Sequence, residues 1–68
     1  MQARQREVHV FPDDEFEGWL VKDDGGCILG RFPTREAAEL TGRRMLRESG
    51  GSLVVHLPDG RCEQKSVD

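Results

Sequence analysis

The sequence is poor in the residues from which small proteins usually build their cores. Its 68 residues include three phenylalanines, one tryptophan and no tyrosine, and only 35% of the residues are hydrophobic. A chain of this length buries only about 60% of the surface that its unfolded state exposes, so we expect one domain of low stability. A homodimer that shares apolar surface is one way in which such a domain would enlarge its core.

Long apolar runs and an excess of basic residues are also absent. No segment is long enough for a membrane span or a signal-peptide core, so we expect a cytoplasmic protein. Without a secretory signal, the only two cysteines, Cys27 and Cys62, are expected to be free thiols. The net charge of −3 at pH 7 argues against a dedicated nucleic-acid-binding protein, which usually carries a basic excess.

The clearest element in the sequence is a helix within residues 32–51. Thr34 suits the N-cap, and Gly50 with Gly51 supplies the left-handed stop. Acidic residues near the start and arginines near the end complement the helix dipole. Helical spacing places mostly small side chains on one face, which we expect to pack on a sheet: Ala37, Ala38, Thr41, Gly42, Met45, Leu46 and Ser49.

Alternating polar and apolar residues on either side of the helix predict five short strands. They cover residues 7–11, 18–22, 27–32, 52–57 and 61–67, with tight turns at 23–26 and 58–60. The predicted fold is α+β, an antiparallel sheet in the chain order β-β-β-α-β-β with the helix packed on one face. We assign residues 7–68 to this domain and residues 1–6 to a disordered tail.

Three short motifs carry a resemblance to a known family. They are V-H-V-x-P from Val8, G-W-x-V-K from Gly18 and V-V-H-x-x-D-G-R from Val54, with a Thr-led, Ala-containing helix before the last. This pattern resembles a family of small bacterial proteins known as domain of unknown function 2188. The resemblance covers residues 8–65 and implies a small α+β domain in a bacterial or phage setting, with no activity attached. The chain departs from the family in its longer acidic segment, residues 13–17, and in Cys62, where an aliphatic residue is usual.

Catalytic and metal signatures are weak in this sequence. His9, Cys27, His56 and Cys62 are zinc-ligand types, but they stand singly on separate strands, whereas structural zinc sites usually take ligands in close pairs. Nucleophilic catalysis needs a thiol, a base and a group that orients the base, and the sequence leaves open whether Cys62 and His56 meet across the last hairpin. A histidine in an apolar strand is more often structural, although it also suits a pH-dependent interface. We therefore expect no catalytic residue, metal, cofactor or small-molecule substrate.

Two surfaces are candidates for binding. One is the helix side away from the small residues, where an apolar side chain lies among arginines, a composition suited to protein recognition or phosphate contact: Leu40, Arg43, Arg44 and Arg47. An ordinary solvated face with i, i+4 ion pairs is the alternative interpretation. The other surface is the sheet face away from the helix, with Phe11, Val54 and His56.

The sequence thus favours a non-enzymatic binding module over an enzyme. We expect a protein partner or a homodimer rather than nucleic acid, and no membrane. Nucleic-acid binding through the helix arginines is the second hypothesis, since arginine is a common phosphate ligand. An inhibitor of a host complex, of the kind that phages make, is the third.

Overall fold

The computed structural model describes residues 6–13, 15 and 17–67. The elements follow in the predicted chain order: β1 (Arg6–Asp13), β2 (Gly18–Lys22), β3 (Ile28–Phe32), α1 (Arg35–Ser49), β4 (Gly51–His56) and β5 (Cys62–Val67). Residues 1–5 of the predicted tail lie outside the described residues, and Arg6 already belongs to β1. Residues 14 and 16 of the predicted acidic loop also lie outside them.

The five strands form one mixed sheet in the order β3-β2-β1-β4-β5. The central pair, β1 and β4, is parallel, and the other pairs are antiparallel, so the prediction of a purely antiparallel sheet is wrong. The helix explains the difference. Its 15 residues span about 22 Å and return the chain to the end of the sheet where β3 began, so β4 runs in the direction of β3 and β1.

The helix covers one face of the sheet and encloses the core there. Apolar side chains of the central strands and of α1 are at most 1% exposed: Val8, Val10, Val21, Ala38, Leu46, Leu53 and Val55. His9 and Phe11 alternate with the two β1 valines and lie on the opposite face, which is the predicted position of Phe11. The buried helix positions Ala38, Gly42 and Leu46 all belong to the predicted small-residue face.

Both helix ends follow the predicted signals. The Thr34 hydroxyl oxygen accepts a hydrogen bond from the Ala37 backbone N–H at 3.1 Å. At the other end, Gly50 has φ +72° and donates its backbone N–H to the Leu46 carbonyl at 2.6 Å. Between them, a Cβ at Gly42 would lie 2.6 Å from Leu53 Cδ1. The close approach of α1 to β4 at this point turns the opposite side of the helix outward.

Strand β1 continues past Pro12 to Asp13, where the sequence suggested that it would stop. Its pairing with β4 ends at Val10, while Pro12 still pairs with Trp19 of β2. Beyond Val10 the strand is therefore an edge on one side, where a missing proline N–H is tolerated. Within the described residues, no helix has the length and hydrophobicity that a membrane span requires.

Candidate functional site

The first candidate surface is the outward side of α1. Leu40 is 51% exposed. Because the spacing i, i+3, i+4 and i+7 places side chains on one side of a helix, this leucine lies beside exposed arginines, and we call the four residues the arginine face: Leu40, Arg43, Arg44 and Arg47. The other exposed large apolar residues in the described chain, Ile28 and Leu29, lie apart from it on the edge strand β3.

Glu39, next to the arginine face, is engaged with the sheet instead. Its carboxylate accepts hydrogen bonds from Arg35 Nε at 2.5 Å and from Lys65 Nζ of β5 at 2.9 Å. Burial raises the pKa of the Glu39 carboxyl, but the hydrogen bonds from Lys65 and Arg35 outweigh that effect and hold the pKa below its usual value. Glu39 therefore ties α1 to β5.

This arrangement leaves the arginine face with much of its positive charge. Arg43 lies 3.8 Å from Glu39, whose carboxylate already has two closer cations. In the part of the chain that the structure describes, Arg44 and Arg47 form no ion pair. The i, i+4 pairing that would make this an ordinary neutral face therefore reaches only Arg43.

The second candidate surface is the open face of the sheet, where Phe11, Val54 and His56 do lie together. The parallel register pairs His9 with Val54 and so places Phe11 beside His56. The rings of Phe11 and His56 are stacked, with centroids 4.0 Å apart and planes 5° from parallel. Lys22 Nζ lies 5.0 Å from the Phe11 ring centroid.

The stack has a consequence for nucleic-acid recognition. Lys22 is on β2 and His56 is on β4, and these strands flank β1 on opposite sides. Both faces of the Phe11 ring are therefore covered, by a cation and by an imidazole. Proteins that bind single strands usually offer an open aromatic face on which a base stacks, and Phe11 does not offer one.

A line of polar side chains crosses the open face beside this stack. Cys62 lies opposite His56 in the β4–β5 ladder, with its Sγ 3.3 Å from His56 Nδ1. His56 Nε2 lies 3.0 Å from His9 Nδ1, and His9 Nε2 lies 3.3 Å from Glu7 Oε1. The thiol and the imidazole whose meeting the sequence left open are thus in contact.

The electrostatics of this line centre on His56. Burial lowers the pKa of His56, and the electrostatic effect of the neighbouring His9 lowers it further. Because an ordinary histidine already titrates just below neutrality, this shift keeps His56 neutral at pH 7. A neutral imidazole can act as a proton acceptor.

The geometry does not favour metal coordination by these residues. His56 turns one ring nitrogen to His9 and the other to Cys62, so the donors form a line and do not converge on one point. Among the described residues, no three His, Cys, Asp or Glu side chains are placed to hold a metal ion. A thiol beside a neutral imidazole that is itself held by further groups is instead the arrangement that activates a nucleophile.

A shallow depression of about 300 Å³ adjoins the stack. It is lined by residues of β1, β2, β4 and the β2–β3 turn: His9, Phe11, Lys22, Asp23, Asp24, Gly26 and His56. Its volume is at the lower end of the range for ligand pockets. The Asp23 carboxylate on its rim is occupied by its own turn, since it accepts the backbone N–H groups of Gly25 and Cys27, each at 2.9 Å.

Comparison with known families decides where the chain belongs. The sequence profile of the family described as "Uncharacterized protein conserved in bacteria (DUF2188)" matches residues 8–66. The chain belongs to the DUF2188 family. The resemblance drawn from the three motifs is therefore confirmed, and the matched region contains the arginine face and nearly all of the open sheet face. No curated protein and no solved structure matches the chain.

Glu7 and Lys22 are the participants that sequence reasoning missed. Both belong to the open face only through the pairing of β1 with its neighbours. A signal for Glu7 was available, because residues i and i+2 of a strand share a face and Glu7 precedes His9 by two. The position of Lys22 against Phe11 required the β1–β2 register, which the sequence alone does not fix.

Proposed function

We propose that this DUF2188 domain is a non-enzymatic binding module that recognises an acidic surface of another protein through its arginine face. The observation that carries the proposal is Leu40, half exposed beside three arginines on the same side of α1. Interfaces are enriched in arginine and depleted of lysine and glutamate, and their buried cores are more apolar than the rest of the surface, which agrees with an apolar side chain beside arginines.

Charge complementarity supports an acidic partner. Arg44 and Arg47 have no carboxylate partner among the described residues, and Glu39 is held by Arg35 and Lys65. Binding an acidic surface would pair these cations while covering Leu40, whose burial from its half-exposed state contributes about 1 kcal/mol. A second copy of this chain, with its net charge of −3, is itself an acidic protein, so a homodimer is one form of the proposal.

Nucleic-acid binding remains the alternative, because arginines that suit carboxylates also suit phosphates. The negative net charge and the covered faces of the Phe11 ring weigh against it. If DNA or RNA is the partner, affinity will fall steeply with salt concentration, and replacing both Arg43 and Arg47 by Ala will abolish it. Binding that is unchanged in that double variant ends the nucleic-acid hypothesis.

The test of the proposal is affinity capture from the native bacterial host with matched variants. We expect a protein partner to be captured by the wild type and lost with Leu40→Asp and with Arg44→Ala combined with Arg47→Ala. Arg61→Ala is the control, since Arg61 is an exposed arginine on the last hairpin that pairs with Asp59. A partner that survives Leu40→Asp but is lost with Val54→Asp would place binding on the open sheet face and contradict the proposal.

Two further measurements define the state of the domain. Light scattering at high protein concentration gives the mass in solution, and a monomer excludes the homodimer form. We also propose a bacterial cytoplasmic location, supported by the family description and by the free thiols of Cys27 and Cys62.

A further inference from the structure

We infer that Cys62 is a nucleophilic thiol that exchanges with low-molecular-weight disulfides, with His56 as its base and with His9 and Glu7 as positioning residues. The inference rests on a line of contacts: Sγ to His56 at 3.3 Å, His56 to His9 at 3.0 Å and His9 to Glu7 at 3.3 Å. It is independent of the proposed binding function, since α1 and its arginine face lie on the other side of the sheet.

The direction of the proton chain follows from what each group can donate. A carboxylate oxygen accepts, so Glu7 Oε1 faces an N–H on His9 Nε2. In the tautomer with its proton there, His9 has an acceptor at Nδ1, and His56 donates its Nε2–H across the 3.0 Å contact. His56 is left with an acceptor at Nδ1, towards which the Cys62 S–H is directed. The tautomers are thereby assigned from the donors and acceptors.

The groups that face His56 come from every neighbouring element. His9 and Phe11 approach from β1, with ring centroids 5.3 and 4.0 Å away, and Cys62 approaches from β5. The charged side chains of the adjoining depression are those of Lys22, Asp23 and Asp24. Asp23 is engaged in its own turn, and Lys22 lies on the far side of the Phe11 ring. The base that Cys62 meets is therefore a neutral imidazole whose other nitrogen is already hydrogen-bonded.

The exchange step balances without any further reactant. As the Cys62 proton passes to His56 Nδ1, Sγ attacks one sulfur of the disulfide. The new S–S bond forms while the old one breaks, and the leaving thiolate takes up the proton. The products are a mixed disulfide on Cys62 and one free thiol. The oxidation of Cys62 is therefore balanced by the reduction of the sulfur that leaves.

Cys27 provides an internal control for this reaction. It is also a free, exposed thiol, yet within the described residues its sulfur contacts no imidazole. Its backbone N–H is donated to the Asp23 carboxylate, which is a negative group. The two cysteines thus differ in the imidazole that adjoins Cys62 and in the carboxylate near Cys27, and the His56→Phe variant isolates the first difference.

The experiment compares two single-thiol proteins, Cys27→Ser and Cys62→Ser, in their reaction with oxidised glutathione at pH 7. Formation of the mixed disulfide is followed by intact mass. We expect Cys62 to react at least about threefold faster than Cys27, because His56 can take the thiol proton as Sγ attacks, whereas Cys27 contacts no imidazole among the described residues. In the Cys27→Ser protein, His56→Phe keeps a ring against Phe11 and should lower the rate to that of Cys27.

The positioning role of Glu7 has its own measurement. Glu7→Gln removes the carboxylate that fixes the His9 tautomer, so we expect part of the Cys62 rate to be lost and its pH profile to move towards that of Cys27. With Glu7 and His56 in place, the rate ratio of Cys62 to Cys27 should fall towards one at strongly alkaline pH, because the solvent then deprotonates either thiol without help from a neighbouring base.

Equal rates for the two cysteines at pH 7 overturn the inference. So does a faster Cys62 whose rate is unchanged by His56→Phe, since exposure alone would then explain it. If circular dichroism shows that His56→Phe does not fold, equal rates of Cys62 and Cys27 still overturn the inference, because that comparison leaves His56 in place.

Discussion

Gly51 is the position at which adding one methyl group should destabilise this domain most. It begins β4 in the middle of the sheet, paired with Arg6 on one side and with Val67 on the other. Its φ is +141°, and a Cβ there would lie 2.1 Å from the Arg6 carbonyl oxygen and 3.0 Å from Leu46 Cδ2. Because the nearest obstacle is backbone, Gly51→Ala requires β1 and β4 to move apart by more than about 1 Å.

The cost has two parts, and Gly60 separates them. Gly60 also has a positive φ, +94°, but nothing lies within 4 Å of a Cβ built on it. Gly60→Ala therefore carries only the backbone strain, about 1–3 kcal/mol. Gly51→Ala carries a similar strain plus the clash, so we expect a loss of at least about 3 kcal/mol. A domain of this length is expected to have a total stability of roughly 3–10 kcal/mol.

The assay is urea unfolding followed by the fluorescence of Trp19, the one tryptophan of the chain, which packs against the core. We expect Gly60→Ala to shift the midpoint modestly and Gly51→Ala to be largely unfolded without urea. If Gly51→Ala costs no more than Gly60→Ala, the close approach of β4 to β1 is refuted, and with it the register that builds the open face.

Three further changes test the packing and the charges. Glu39→Gln should cost about 1–2 kcal/mol in urea unfolding, because it breaks a partly buried network whose cations are themselves solvent-accessible, whereas Glu36→Gln on the same helix should cost about 0.5 kcal/mol or less. Folding lowers the pKa of His56, so the stability that its neutral imidazole contributes is present above pH 6.5 and is lost as the pH falls through the folded pKa. Between pH 7 and 5 the free energy of unfolding should therefore decrease with falling pH, by at most about 1.4 kcal/mol per pH unit from this group, and His56→Phe should lack this decrease. Replacing a helical glycine by alanine usually stabilises a protein, but Gly42→Ala should lower the free energy of unfolding by about 1 kcal/mol, because its Cβ would meet Leu53. A stabilised Gly42→Ala variant in the same urea assay would contradict this contact.

Most of the fold was predictable because its signals are local. The Thr34 cap, the Gly50 stop and the alternation of His9 with Val8 and Val10 need only neighbouring residues, and all are confirmed. The parallel pairing of β1 with β4 joins residues more than forty positions apart in the chain, as the His9–His56 contact does. A strand, a helix of about four turns and another strand in succession favour parallel strands, and this succession is the sequence signal for the parallel pair.

The candidate surfaces also combine features that follow from local sequence with features that require long-range contacts. Helical spacing alone placed Leu40 among the arginines, but it did not show that Glu39 is engaged by Lys65, 26 residues away on β5. On the open face, the sequence suggests the hairpin across which Cys62 and His56 face each other, because its turn is short and local. Their connection to His9 and Glu7 depends on the β1–β4 register, which no local pattern fixes.

The two surfaces depend on different parts of the fold, because only the polar line requires the β1–β4 register. In β1 and β4, each residue of the polar line alternates with a core residue, so a slip of one position would exchange His9 for Val8 or Val10. The chemistry of Cys62 therefore depends on the exact pairing of the central strands, whereas the arginine face depends on α1 and on the contact of Glu39 with Lys65 of β5. We expect Leu40→Asp to abolish capture without changing the Cys62 exchange rate. His56→Phe should slow that exchange to the rate of Cys27 without changing capture, and the two effects should be additive when the variants are combined. Capture that changes when Cys62 carries glutathione would instead show that the two faces are coupled through the sheet.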